Sequence, residues 1–250
     1  MSPEPDAPAA AGRVALVTGA GVRVGRAIAQ ALGRAGADVV VHYHRSEGPA
    51  AEVAAGIRAL GRRSVAVGGD LASPEDCRAL VRTASREMGG LDFLVHSAAN
   101  FHRAALEDTD EVVWDSSLNV NARAGFLLAR EAAATLRSRR GRVVLVSDFL
   151  AIRPVPNYLA HAVSKAAAEG LVRALAVELA PEVSVNGVSP GTVLVPDGTS
   201  EKLARRWAEE TPLRRNGDPE DVADAVVFLC TGPSFVTGQI LRVDGGKTLR

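Results

Sequence analysis

Cysteine is nearly absent from this 250-residue chain: Cys77 and Cys230 stand alone. They lack metal-ligand spacing, so each reads as a small buried apolar group, and no metal site is expected. Excess charge is missing too. The 29 Lys and Arg balance 29 Asp and Glu, which leaves no electrostatic footprint for nucleic acid or a membrane surface. No apolar run approaches the roughly 18 residues of a membrane span. Met1 to Gly12 has neither the basic start nor the apolar centre of a secretion signal. The expectation is a cytoplasmic protein with a disordered tail over residues 1–12, followed by a single domain over residues 13–250. With 47% apolar residues the chain suffices for one large α/β core and is short for two.

What is present is concentrated between residues 13 and 46. An apolar run, Val14 to Val17, meets the glycine turn Thr18-Gly-Ala-Gly-Val-Arg-Val-Gly25; a second run, Val39 to Val41, empties into His42-Tyr-His-Arg-Ser46. Strand, glycine turn, helix, strand is the order that seats a pyrophosphate on a helix N-terminus. An acidic residue about 20 positions on would grip the ribose of NAD. His44, Arg45 and Ser46 stand there instead and suit a phosphate dianion, which points to NADP(H). Arg45 taken alone also reads as a solvated loop cation.

Further short apolar runs alternate with helical patterns, predicting strands near Ser64–Val67, Leu91–Val95, Arg142–Val146, Val183–Val188 and Ile240–Val243. The class is α/β: a single-domain Rossmann fold with a doubly wound, seven-stranded parallel sheet and helices on both faces. Ser73-Pro74 and Asp218-Pro219 mark helix starts. In such sheets ligands bind beyond the carboxyl ends of strands. That rule selects Asp70, His96 to Phe101, Ser147 to Asp148 and Ser189 to Val193.

These residues resemble the short-chain dehydrogenases/reductases from Val14 to Gly246, and within them the pteridine reductases. Thr18 to Gly25 matches the glycine motif, Asp70-Leu71 the adenine-contacting pair, Asn121 the active-site asparagine, Pro190-Gly191 the turn that meets the nicotinamide carboxamide, and Val243-Asp-Gly-Gly246 the end of the last strand. The narrower likeness rests on five features: His42 to Ser46 as an NADPH-selecting segment, Arg23 beside phosphates and pterin, Phe101 as a stacking ring, Asp148 where most of the superfamily has serine, and Tyr158. The resemblance implies cofactor contacts at Gly19, Arg23, Val24, Gly25, His44, Arg45, Ser46, Asp70, Leu71, Ser97, Ala98, Lys165, Pro190, Gly191 and Val193. It implies substrate contacts at Arg23, Phe101, Asp148, Tyr158 and Trp207, the last on a lid over residues 192–215 that includes Asp197-Gly198 and a helix over 199–209. It also implies a homotetramer, the segments 107–137 and 155–179 being long and Ala-rich. Plainer roles stay open: Phe101 as a loop residue on the core, Asp148 as a strand-end cap, Tyr158 as packing, and Trp207 as a lid anchor.

The pattern breaks at one position. The superfamily signature is tyrosine, three residues, lysine, whereas this chain has His161-Ala-Val-Ser-Lys165. Helical spacing predicts Tyr158, His161 and Lys165 on one face. Imidazole can donate one N–H or act as general base, although its polar atom lies nearer the backbone than a phenol oxygen does. A Lys165 cation opposes a protonated ring and an Asp148 carboxylate supports one. The candidate catalytic set is Asn121, Asp148, His161 and Lys165. His96 stands where an asparagine joins strands across the sheet. The leading expectation is an NADPH-dependent reductase acting on a flat heterocycle, cyclic imine or ketone. The alternatives are a non-redox dehydratase, isomerase or cyclase using His161 and Asp148, and an NADP(H)-binding protein without turnover, in which His161 is a plain helix residue.

Overall fold

The computed structural model describes residues 8–195 and 198–249. Seven strands form one parallel sheet in the order β3-β2-β1-β4-β5-β6-β7. They are β1 (Val14–Thr18), β2 (Asp38–Tyr43), β3 (Ser64–Gly68), β4 (Phe93–His96), β5 (Arg142–Val146), β6 (Ser184–Pro190) and β7 (Ile240–Val243). Successive side chains of a strand point to opposite faces, and the buried runs serve two cores accordingly. Ala15 and Val17 join one cluster while Val14 and Leu16 join the other. The first cluster holds α1 (Arg23–Arg34), α2 (Glu47–Ala59) and α8 (Pro219–Thr231); the second holds α3 (Pro74–Met88), α5 (Ala124–Arg139) and α6 (Leu159–Glu178). Between them in the chain lie α4 (Glu111–Leu118) and α7 (Glu201–Glu210).

The helix starts follow the sequence signals. Ser73 Oγ accepts the Asp76 N–H, and Asp218 and Asp221 make a reciprocal capping box; such caps contribute about 1 kcal/mol each. The order reverses direction between β1 and β4, the switch point at which parallel sheets open a crevice. At the opposite, amino edge the buried Asp92 accepts from Arg13 Nη1 at 2.9 Å, Arg139 Nη1 at 3.1 Å and the Val14 N–H at 2.9 Å.

Three boundaries differ from expectation. The chain is ordered before Arg13: Ala10 is fully buried and its N–H donates to Ala35 O at 2.8 Å, because the turn at residues 8–12 closes over the α1–β2 connection. Residues 1–7 lie outside the described part. The long helix expected over 107–137 is interrupted by a π turn at Asn119–Arg123, and α6 begins at Leu159 rather than near residue 155.

Candidate active site

The glycine turn is shaped by close approach of two strand ends. Gly19 has φ +64°, and a Cβ there would lie 2.8 Å from Ala98 Cα, so only glycine lets the β1 turn meet the β4 turn. A Cβ on Gly21 would lie 2.8 Å from Ser46 Oγ; the segment after β2 is thereby held against the glycine turn. Helix α1 opens at the exposed Arg23, whose φ of +53° is itself left-handed, with no side-chain cap and no acidic residue in its first turn. Uncapped N–H groups and a neighbouring guanidinium suit an anion. His44 and Arg45 are exposed, Ser46 and Val24 half-buried, Gly25 buried.

Two buried histidines brace this turn. His42 Nδ1 accepts the Gly19 N–H at 3.2 Å, and its Nε2 donates to Gly69 O at 3.1 Å. His96 Nε2 donates to Val120 O at 3.0 Å, so its Nδ1 accepts from Thr18 Oγ1 at 2.9 Å; Thr18 Oγ1 in turn accepts the N–H groups of Ser97 and Ala98 at 3.1 Å. His96 thus joins β4 to β1 and to the π turn, as expected of it. Burial pushes His42 down to about 4 and His96 down to about 3, so both rings are neutral above those values. The Ser97 and Ala98 N–H groups are consumed by Thr18 and have nothing left to donate.

Asp70 closes a local turn, its Oδ1 accepting the Ala72 N–H at 2.9 Å while its own N–H donates to Asp76 Oδ2 at 2.8 Å. Leu71 turns its side chain into the core, 3% exposed, which restricts it to backbone contacts with any ligand. Pro190 and Gly191 end β6, with the Gly191 N–H donating to Val243 O at 2.9 Å, and Val193 is buried just beyond.

Two of the catalytic candidates, Asn121 and His161, converge on one carbonyl. The π turn presents Asn121 inward, where its Oδ1 accepts the Asn100 N–H at 2.7 Å and its Nδ2 donates to Asn100 O at 3.0 Å and to Ser164 Oγ at 2.9 Å. His161 Nδ1 lies 3.0 Å from the same Asn100 O. A carbonyl only accepts, so Nδ1 carries the hydrogen. The other ring nitrogen, Nε2, is buried with no hydrogen-bond partner and stands 3.6 Å from Asp148 Oδ2. Asp148 uses Oδ1 to cap the 3-10 turn Phe149–Ala151 through the Leu150 N–H. Capping and facing His161 are therefore simultaneous. Lys165 Nζ donates to Val146 O at 2.8 Å, and burial holds its ammonium down to about 8, against the pull of Asp148.

Phe101 is 54% exposed, its ring edge-on to His161 at 4.6 Å and tilted against Tyr158 at 4.8 Å. Tyr158 precedes α6 as its N-cap, with φ −128°, so the three residues 158, 161 and 165 do not share one helical face; the aromatic contact, not helix periodicity, keeps Tyr158 beside the site. The helix expected over 199–209 is α7, capped by Ser200, and Trp207 on it is half-buried, its carbonyl accepting from Thr211 Oγ1 at 3.0 Å. Asp197 lies outside the described residues. A cavity of about 540 Å³ between Thr192, Thr211 and Asp244 includes none of Asn121, Asp148, His161 or Lys165 in its lining.

Sequence reasoning missed the hub itself. Nothing in the identity of Asn100 says that its backbone oxygen will receive both Asn121 and His161. Ser164, which takes a hydrogen bond from Asn121 at 2.9 Å and donates to the His161 carbonyl at 2.7 Å, carried only the signal of lying between His161 and Lys165 in sequence.

Residues 19–248 match a family model described as enoyl-(acyl carrier protein) reductase. A short-chain type dehydrogenase/reductase of Picea abies is 36% identical, over 94% of this chain and 92% of that protein. The hydroxynaphthalene reductase-like protein Arp2 of Metarhizium robertsii is 36% identical over 94% and 95%. A crystal structure of a short chain dehydrogenase from Burkholderia cenocepacia in complex with NADP superposes with TM-score 0.89 and 36% identity over 95% and 98%. With the glycine turn, the switch-point crevice and the buried Asn121, His161 and Lys165 at one sheet edge, this chain belongs to the short-chain dehydrogenases/reductases.

Proposed function

We propose that the protein is an NADPH-dependent reductase of a flat heterocycle, cyclic imine or ketone, of pteridine-reductase type, in which a histidine–aspartate pair takes over the proton delivery of the superfamily's tyrosine. The observation that carries this reading is the orphaned Nε2 of His161 facing Asp148 Oδ2. With Nδ1–H tied to Asn100, a neutral ring turns a bare lone pair toward a carboxylate, which is repulsive; one proton shared between the two groups removes the repulsion. That shared proton is the one available to a substrate atom.

The cofactor fit rests on the uncapped α1 N-terminus, the close turn at Gly19 and the polar segment His44 to Ser46, placed for a pyrophosphate and a further phosphate. NADPH, when bound, supplies the hydride. The chain's own residues do the rest. Arg23 balances phosphate charge, Lys165 holds ribose hydroxyls with the two N–H donors that Val146 leaves free, Asn121 locks the Asn100 carbonyl that orients His161, and Phe101 with Tyr158 offers a flat wall for a flat ring. The imidazole reaches less far than a phenol, so the reducible atom must come close to the sheet edge. The relative named for hydroxynaphthalene and the neighbour holding NADP support a planar substrate and this cofactor.

The test is oxidation of NADPH in the presence of dihydropterins, cyclic imines, ketones and hydroxynaphthalenes. Confirmed NADPH binding with no oxidation across the set would overturn the reductase reading. A second reading, a dehydratase, isomerase or cyclase, is favoured by the same proton-sharing pair, with histidine at position 161 in place of the superfamily's tyrosine; product formed with no net change in NADP(H) would establish it. We also propose a homotetramer, since Phe126, Leu159, Val163 and Val177 leave apolar surface exposed on α5 and α6, and light scattering measures it directly.

A further inference from the structure

The last turn of the chain presents a buried lysine that the proposed reaction does not use. Lys247 is 7% exposed although it lies three residues from the C-terminus. Its backbone is held from both sides. Asp244 Oδ1 accepts the Gly246 N–H at 2.8 Å and Oδ2 accepts the Thr248 N–H at 2.9 Å, while Arg153 Nη1 donates to the Lys247 carbonyl at 2.7 Å. So fixed, the side chain crosses to the segment just after β6 and donates from Nζ to Thr192 Oγ1 at 2.8 Å, its ammonium 4.8 Å from the centre of the Phe149 ring.

Phe149 follows Asp148, the carboxylate that faces His161, and Thr192 follows the Pro190-Gly191 turn. The ammonium therefore stands at the carboxyl edge of the sheet, between the ends of β5 and β6, on the flank of the site away from the glycine turn. Among the described residues no carboxylate oxygen lies within 4 Å of it. A hydroxyl and a π face are weak compensation for a desolvated cation. Burial lowers its proton affinity and Arg153 adds to that; Glu210, Asp148 and Asp244 act in the opposite sense. An ammonium has three donors, and Thr192 takes one.

We propose that Lys247 is a specificity-determining residue whose ammonium, positioned by Thr192 and Phe149, receives an anionic oxygen carried on the ring of the substrate. Such an oxygen completes the charge pairing that the described residues leave open. It also orients the ring, with its acidic edge toward Lys247 and its reducible atom toward the His161–Asp148 pair. The proposal rests on the active-site reading above, and its test is a binding measurement that does not depend on turnover.

The NADPH complex is titrated with 2-naphthoate and with 2-naphthamide, its neutral analogue, by calorimetry. Wild type should bind the carboxylate at least about tenfold more tightly, Lys247→Met should abolish that preference, and Lys247→Arg should retain part of it. Equal affinity for the two probes in wild type, or an undiminished preference in Lys247→Met, overturns the proposal. Should Lys247→Met fail to fold, Lys247→Gln, which keeps a polar side chain without the charge, should lose the preference, and an undiminished preference in it overturns the proposal. A carboxylate preference without NADPH oxidation on any substrate would remove the reductase reading and leave this subsite standing.

Discussion

Two aspartates, Asp92 buried and Asp148 half-buried, sit at opposite edges of the same sheet and are treated in opposite ways. At the amino edge, Asp92 accepts from two arginines and a backbone N–H, so its charge is fully answered inside the chain. At the carboxyl edge, Asp148 spends one oxygen on a cap and turns the other to a histidine nitrogen with no partner. Beside it are Lys165, with one acceptor, and Lys247, with one hydroxyl. The same contrast separates the histidines: His42 and His96 engage both ring nitrogens, His161 one. Complete pairing stabilises; incomplete pairing in a buried cluster is where a ligand or a moving proton finds its place.

The sharpest way to break this comparison is His161→Phe. Reduction in the presence of NADPH should fall by roughly 10² to 10⁴ while the melting temperature changes little, because the orphaned nitrogen leaves with the ring. A large loss of stability with unaltered turnover would place His161 with the structural histidines instead. Next comes acid. The values of His42 and His96, about 4 and about 3, lie below the 6.5 of a free imidazole, so between those limits the unfolded chain binds more protons than the folded one. Their contribution is fully present above pH 6.5 and is lost as pH falls toward 4, at about 1.4 kcal/mol per pH unit per ring. Denaturant midpoints measured across this range should fall steeply, and His96→Asn should flatten the slope.

A smaller effect is expected from Asp92→Asn, which removes the charge that holds Arg13 and Arg139. Both arginines reach solvent, which limits the loss to about 2 kcal/mol. Chemical denaturation should show it, with turnover per folded molecule unchanged. The smallest concerns Lys165. Its ammonium, held to about 8, should lose its proton as pH rises through that value, weakening NADPH binding several-fold. Lys165→Met should abolish that pH dependence, and an unchanged profile would show that the lysine does not hold the cofactor.

Much of the fold was legible in the chain. The alternating apolar runs placed all seven strands to within a few residues, and Ser73-Pro74 and Asp218-Pro219 marked helix starts, because strand burial and capping are local effects. The rule that ligands bind beyond strand ends selected Asp148, and the resemblance to the superfamily signature supplied His161. The order of residues 8–12 escaped the sequence because Ala10 packs on the distant α1–β2 turn. Tyr158 was placed inside a helix because periodicity continues past a boundary that φ of its own residue sets.

The sequence by itself determined the parallel sheet, the glycine turn and the chemical kinds of side chain at its edge, since hydrophobic period and turn stereochemistry depend on neighbours along the chain. Only the tertiary structure decided that one backbone oxygen, Asn100, assigns the tautomer of His161, and that the Lys247 ammonium meets a hydroxyl and an aromatic ring but no carboxylate among the described residues. Hydrogen-bond completeness is a property of groups up to 94 residues apart along the chain, as Arg153 and the Lys247 carbonyl show, and no local pattern encodes which of them will be left wanting a partner.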